Sequence, residues 1–151
     1  MDLKRVDDLY RDKVILDHCR NPRNFVFLSN ADFVCDAINS FCGDEIHIQI
    51  KADQSHKITN VGYQSEGCAI NQATGSLISE YINGLKINEV VEFTSYFSDI
   101  MQSRLDSDFS DKSMTDLGDL QILYRVKEFP IRIKCVLLSI EALKSGLYSY
   151  K

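Results

Sequence analysis

The sequence lacks any long run of apolar residues. Its apolar stretches, such as residues 136–138, hold only a few residues, whereas a membrane-spanning helix needs about 20. The first five residues, MDLKR, are charged and contain none of the apolar core of a secretory signal. We therefore predict a protein that does not enter a membrane and that is located in the cytoplasm.

Positive charge is also scarce. The chain carries 22 Asp and Glu against 17 Lys and Arg, a formal net charge of −5. This excess disfavours non-specific binding to nucleic acid or to anionic lipid. Proline is rare, and the share of hydrophobic residues is ordinary for a globular domain. A chain of 151 residues can bury a sizeable core without disulfides, so we predict one domain over residues 1–151.

Periodic patterns predict an α+β fold. Ile46, Ile48 and Ile50 alternate with polar residues, which predicts a half-buried strand. Flanking strands at 32–38 and 58–64 would complete a three-stranded antiparallel meander. Apolar residues at three- and four-residue steps predict helices at 3–20, 70–81, 87–101, 117–124 and 130–147. We place an exposed loop at 103–115, a helix cap at Gly84, and the helices on one face of the sheet.

Cysteines are the unusual feature of the composition. There are five, at positions 19, 35, 42, 68 and 135. Because no export signal is evident, a disulfide framework is not expected. Cys19 and Cys35 occupy apolar positions of their elements and are predicted to pack in the core. His18 is predicted to be structural or exposed, and His47 and His56 to be solvated.

The other three cysteines lie at junctions between elements. Cys42-Gly43-Asp44 places a thiol and a carboxylate on either side of a glycine that permits a tight turn. Cys68 begins a helix, where free backbone N–H groups favour a thiolate, and Cys135 lies early in the last helix. Three thiols and a carboxylate suit a tetrahedral Zn²⁺ ion. Their spacing matches no compact zinc finger, so packed core cysteines remain the alternative on these grounds.

Several motifs occur in the order found in a known family. They are Leu9-Tyr10-Arg11, Val14-Ile15-Leu16-Asp17-His18, Asn21-Pro22-Arg23-Asn24, Cys42-Gly43-Asp44, Gly67-Cys68-Ala69-Ile70, Leu117-Gly118-Asp119-Leu120 and Phe129-Pro130 with Arg132-Ile133-Lys134-Cys135. With these motifs the sequence resembles the iron–sulfur cluster scaffold superfamily of IscU and the NifU amino-terminal domain. Within it, the SufU branch is the most similar. The resemblance extends from about Leu9 to Leu147.

The resemblance implies a fold, a metal site and a role. It implies a small three-stranded antiparallel sheet with helices on one face, and zinc held by Cys42, Asp44, Cys68 and Cys135. Cys42 would accept persulfide sulfur from a pyridoxal-phosphate cysteine desulfurase of the SufS type, and Arg132 would assist the transfer or the docking. The sulfur would pass to downstream iron–sulfur assembly proteins. Such a protein is a sulfurtransferase-like acceptor rather than a free-standing enzyme.

Two other functions fit the same ligands. A scaffold could assemble a [2Fe–2S] cluster on the three cysteines, since thiolates suit clusters as well as zinc. Lys134 counts against this, because the scaffold branch carries a histidine there. Alternatively, a closed metal site could be purely structural, in a domain that only binds a partner. A further departure from the family is Asn71-Gln72-Ala73-Thr74, which replaces a run of small residues.

Overall fold

The computed structural model describes residues 12–40, 43–102 and 117–148. Three of the sequence predictions fall wholly or partly outside this range. They concern the first part of the helix predicted at 3–20, the ligand Cys42, and the whole of the loop predicted at 103–115.

The sheet is the predicted three-stranded antiparallel meander. Strands β1 (Phe33–Asn39), β2 (Asp44–Ala52) and β3 (Ile58–Glu66) lie in the order β1-β2-β3. Ile48 of β2 pairs with Cys35 on one side and with Tyr63 on the other. The alternation that predicted β2 is therefore correct, because its isoleucines are all buried on the helical face.

Four α-helices and a 3-10 helix lie within the described residues. They are α1 (Lys13–Arg20), α2 (Ala69–Ile82), α3 (Ile87–Gln102), the 3-10 helix (Gly118–Glu128) and α4 (Pro130–Gly146). Asp12 begins α1 by accepting hydrogen bonds from the N–H groups of Val14 and Ile15. Pro130 begins α4 in the first turn, where its missing N–H costs no hydrogen bond.

The helices cover one face of the sheet. Helix α2 packs on β2 and β3, α4 packs on β1 and β2, and α3 and the 3-10 helix lie against α4. Gly75 allows α2 to approach closely, since a Cβ there would lie 2.7 Å from the Tyr63 ring. The predicted α+β architecture is confirmed. No helix in the described ranges is long and apolar enough to cross a membrane.

The structure corrects several element boundaries. The backbone of Asp12 is extended, so α1 begins at Lys13 rather than continuing from residue 3 as predicted. Asn83, not Gly84, is the C-cap of α2, and Gly84 with φ +95° turns the chain one residue later. The helix predicted at 117–124 is a 3-10 helix that continues to Glu128. Each difference arises at an element end, where capping contacts compete with helix periodicity.

Candidate metal centre

Three elements that are distant in the sequence bring metal-binding side chains to one point. Asp44 is the first residue of β2, Cys68 is the N-cap of α2, and Cys135 lies in the second turn of α4. Their ligand atoms all lie within 4.8 Å of one another. Asp44 and Cys135 are buried, whereas Cys68 is partly exposed. The structure therefore unites three of the four predicted ligands, and the fourth, Cys42, lies outside the described residues.

A tight turn before α2 holds Asp44 against Cys68. The N–H of Cys68 donates to Asp44 Oδ1 at 3.1 Å, and Cys68 Sγ lies 3.7 Å from Asp44 Oδ2. Gly67 makes this approach possible, because a Cβ on it would overlap the Asp44 carboxylate. Its φ of +127° is also unfavourable for other residues. Position 67 is therefore a glycine because any side chain there would overlap the Asp44 carboxylate.

The two thiols of the cluster have different acidities. A hydrogen bond from Cys135 lowers the pKa of Cys68 to about 7, aided by the Asn71 and Ile70 N–H groups of the first turn of α2. The same hydrogen bond raises the pKa of Cys135, as does its burial. The pKa of Cys68 is therefore the lower of the two. A cation that binds both would displace the Cys135 proton.

The residues present fit a tetrahedral metal ion. Zinc bonds of about 2.3 Å to sulfur and about 2.0 Å to oxygen separate such ligands by about 3.5 Å in a tetrahedron. The 3.7 Å between Cys68 Sγ and Asp44 Oδ2 is close to this value. Two sulfurs and an oxygen are ligands that zinc accepts, and they leave one tetrahedral position for another donor. An Asp–Cys–Cys set of this geometry can hold zinc.

The remaining described cysteines lie outside the cluster, as predicted. Cys35 is fully buried beneath Gly146, and burial raises its pKa to about 12. Cys19 is partly buried, donates a hydrogen bond to the Ala69 carbonyl at 3.3 Å, and has its pKa raised by burial. Both thiols are protonated at neutral pH and pack as small apolar groups.

Two histidines have structural partners. His18 is buried, with Nδ1 2.6 Å from Ser76 Oγ, and burial lowers its pKa. His47 was predicted to be solvated; its side chain is 34% exposed, and it is also paired with two carboxylates. Its ring nitrogens lie 2.7 Å from Asp36 Oδ1 and 2.8 Å from Glu45 Oε1. Only the strand register shows this pairing, because Asp36 belongs to β1.

The segment that follows α1 is joined to α2 by hydrogen bonds. The Arg23 N–H donates to Ser76 Oγ at 2.9 Å, and the Ser79 hydroxyl donates to the Arg23 carbonyl. Asn24, at φ +61°, donates to Ser79 and accepts from the N–H of Tyr63. The Asn21-Pro22-Arg23-Asn24 motif therefore joins α1 to α2 and β3, and it places no side chain in the metal cluster.

Arg132, the predicted assisting residue, lies at the start of α4. It is partly exposed and lines a shallow cavity of about 300 Å³ with Glu128, Phe129, Pro130 and Ile131. Ile131 beside it is 81% exposed. Arg132 is thus on the helix that carries Cys135, although it is not among the clustered ligands.

Sequence reasoning missed one residue beside the cluster. Asn71 is fully buried, three residues after Cys68 in the first turn of α2. Its amide donates to the carbonyls of Glu45 and Glu66. The only sequence signal was its departure from the small residues usual at this point.

Comparison with known proteins agrees with this geometry. The chain is 39% identical over 142 residues to the zinc-dependent sulfurtransferase SufU of Bacillus subtilis, covering 94% of this chain and 91% of that protein. It is 29% identical over 147 residues to the iron–sulfur cluster assembly scaffold protein IscU of Streptococcus pyogenes, covering 97% and 87%.

A solved structure shows the same fold. It is a putative iron–sulfur cluster assembly scaffold protein for the SUF system from Fervidobacterium islandicum. The TM-score is 0.76 at 26% identity, with 95% of this chain and 99% of that chain covered. The family described as the NifU-like N terminal domain matches residues 9–136. The chain belongs to the NifU-like N terminal domain family.

Proposed function

We propose that this protein is a zinc-dependent sulfur relay for iron–sulfur cluster assembly. The observation that carries the proposal is the convergence of Asp44, Cys68 and Cys135 within 4.8 Å. Cys42, two residues before Asp44, would supply the fourth ligand. Support also comes from the 39% identity to a protein named as a zinc-dependent sulfurtransferase.

Zinc at this site would keep the cysteine sulfurs deprotonated without adding redox chemistry. Cys42 is the proposed sulfur acceptor. Its thiolate attacks the outer sulfur of a persulfide on a cysteine desulfurase. A sulfur–sulfur bond forms to Cys42, the original sulfur–sulfur bond breaks, and the desulfurase cysteine leaves as a thiolate. The outer sulfur keeps its proton. Because one sulfur–sulfur bond replaces another, the transfer needs no oxidant or reductant.

The burial of the cluster supports this division of roles. Asp44 and Cys135 are buried and Cys68 is partly buried beside them, so they are suited to hold a metal ion. They are less suited to meet a sulfur donor carried by another protein. A pyridoxal-phosphate cysteine desulfurase is the proposed donor, and downstream iron–sulfur assembly proteins are the proposed acceptors.

The test is to mix the zinc-loaded protein with a cysteine desulfurase and free cysteine, block the thiols by alkylation, and locate added sulfur by mass spectrometry. We expect one additional sulfur atom on Cys42 and faster desulfurase turnover. Cys42→Ser should abolish both effects, whereas Cys19→Ser, outside the cluster, should preserve them.

Two outcomes would contradict the sulfur relay. One is a zinc-loaded, folded Cys42→Ser variant that accepts sulfur at the parental rate. The other is an absence of added sulfur together with assembly of a [2Fe–2S] cluster on the protein under anaerobic iron reconstitution. That result would favour the scaffold function. The Streptococcus pyogenes relative is named as a scaffold protein of this kind.

A further inference from the structure

Asn71 connects the segment that carries Asp44 to the segment that carries Cys68. Its Nδ2 donates to the Glu45 carbonyl at 3.1 Å and to the Glu66 carbonyl at 3.0 Å. Glu45 directly follows Asp44, and Glu66 precedes Gly67 and Cys68. Both hydrogens of one amide group are therefore used to join the start of β2 to the end of β3.

Asn71 also contacts the sulfur of Cys68. The backbone N–H of Asn71 donates to Cys68 Sγ at 3.5 Å. Asn71 thus contacts all three parts of the turn: the strand that begins with Asp44, the strand end before Gly67, and the sulfur of Cys68.

The burial of Asn71 shows how strongly the fold constrains it. The side chain is 0% exposed, and its Oδ1 has no hydrogen-bond donor among the described residues. A buried polar atom without a partner is unfavourable, because it has lost its hydrogen bonds to water. A small apolar residue would avoid this cost, but it would remove the two hydrogen bonds that Asn71 Nδ2 donates to the carbonyls of Glu45 and Glu66.

We infer that Asn71 is a positioning residue for the metal centre, which it serves by fixing the separation of Asp44 and Cys68. This inference rests on the proposed function, because it assumes that these side chains hold zinc. When the amide is lost, the ends of β2 and β3 can separate, and the carboxylate and the sulfur then move apart. Groups that orient metal ligands typically change metal affinity about 10–100-fold when removed.

The experiment compares Asn71→Ala and Asn71→Ser with the parent chain. The serine hydroxyl supplies one hydrogen-bond donor in place of the two of the Asn71 amide. We therefore expect zinc affinity to be highest in the parent, lower in Asn71→Ser and lowest in Asn71→Ala. We expect the Kd for zinc, measured by competition with a chelator, to rise about tenfold or more in Asn71→Ala. The absorption bands of the Co²⁺-substituted protein, which report ligand geometry, should shift and weaken in the same order.

Val61→Ala serves as the matched control. Val61 is a buried residue of β3 that pairs with Ile50, near the opposite end of the β2–β3 ladder from Glu45 and Glu66. It should lower the free energy of unfolding without changing the Co²⁺ spectrum or the Kd for zinc. If Asn71→Ala does not fold, Asn71→Ser against Val61→Ala gives the same comparison.

Three results would overturn the inference. Asn71 variants with the parental Co²⁺ spectrum and zinc Kd would show a purely structural role. An equal loss of affinity in Val61→Ala would show a general effect of stability. If the parent itself binds neither Zn²⁺ nor Co²⁺, the proposed metal centre fails too. If the parent binds zinc and accepts sulfur but the variants match it, only the role of Asn71 fails.

Discussion

Asp44 Oδ1 accepts the main-chain N–H of Cys68 at 3.1 Å, so the carboxylate of one predicted ligand is oriented by the backbone of another. The contact joins the first residue of β2 to the N-cap of α2. Gly67 lies between the sheet and the helix and leaves space for the carboxylate. The fold therefore holds two of the proposed metal ligands in contact with each other.

The first prediction concerns that glycine. Gly67→Ala should lower the free energy of unfolding by about 1–2 kcal/mol from its positive φ and by about 1–3 kcal/mol more from overlap with Asp44. It should also raise the Kd for zinc, because the carboxylate must move. Urea unfolding and chelator competition measure the two effects.

Gly84→Ala is the control for Gly67→Ala. Gly84 also has a positive φ, of +95°, but a Cβ there would meet nothing within 4 Å. It should show the backbone cost alone and bind zinc like the parent. Equal zinc affinities in the two variants would refute a role for Gly67 in placing Asp44.

The second prediction concerns thiol reactivity in the metal-free protein, tested in a Cys42→Ser background. Cys68 should be alkylated fastest, with a rate that rises as pH increases through about 7, since that is its pKa. Cys35, buried and with a pKa of about 12, should react much more slowly than Cys68. Mass spectrometry after timed quenching gives the order.

Zinc should change this order selectively. It should protect Cys68 and Cys135, whereas Cys19 should react at the same rate with and without the ion. Zinc protection of Cys19 equal to that of Cys68 would contradict the assignment of the ligands.

The third prediction concerns His47 and pH. The hydrogen bonds to Glu45 and then to Asp36 raise the pKa of His47. A raised pKa means that its stabilising contribution is fully present below the unfolded value of about 6.5. That contribution is lost as pH rises through the higher folded value. Urea unfolding on both sides of this interval should show the decrease.

His47→Gln should remove this part of the pH dependence. Both proteins should be measured in the same metal state, so that the cysteines contribute equally. His56→Gln provides a comparison, because His56 is exposed in the turn between β2 and β3. If the parent and His47→Gln lose stability in parallel over this interval, the ion pairs of His47 do not contribute.

The fourth prediction concerns Arg132. Its positive charge at the start of α4 would stabilise the thiolate that leaves the desulfurase cysteine, or attract an acidic partner surface. Arg132→Ala should slow sulfur acceptance severalfold and weaken desulfurase binding, with the zinc Kd unchanged. Turnover at varied concentrations of this protein separates the binding effect from the transfer rate.

Lys134→Ala is the control for Arg132→Ala, because Lys134 is an exposed cation two residues further along α4. It should have the smaller effect on sulfur acceptance. Equal losses in both variants would indicate a general effect of charge and would remove any special role of Arg132.

Most of the secondary structure could be predicted from the sequence alone, because it depends on the local spacing of apolar residues. Ile46, Ile48 and Ile50 alternate because β2 has one buried face, and the apolar stripe of α4 repeats because that helix packs on the sheet. Boundaries were less accurate, as at Asp12 and Gly84, because caps depend on single hydrogen bonds and dihedral angles.

The sequence also determined which residue types could bind a metal, since the thiols and the carboxylate stand in recognisable motifs. The spacing of the residues could not show that Asp44, Cys68 and Cys135 meet, which only the resemblance to a known family implied. Only the tertiary structure brings a strand and two helix starts to one point, because contacts between distant segments depend on packing and strand register. For the same reason, the His47 ion pair and the hydrogen bonds of Asn71 became visible only in the folded chain.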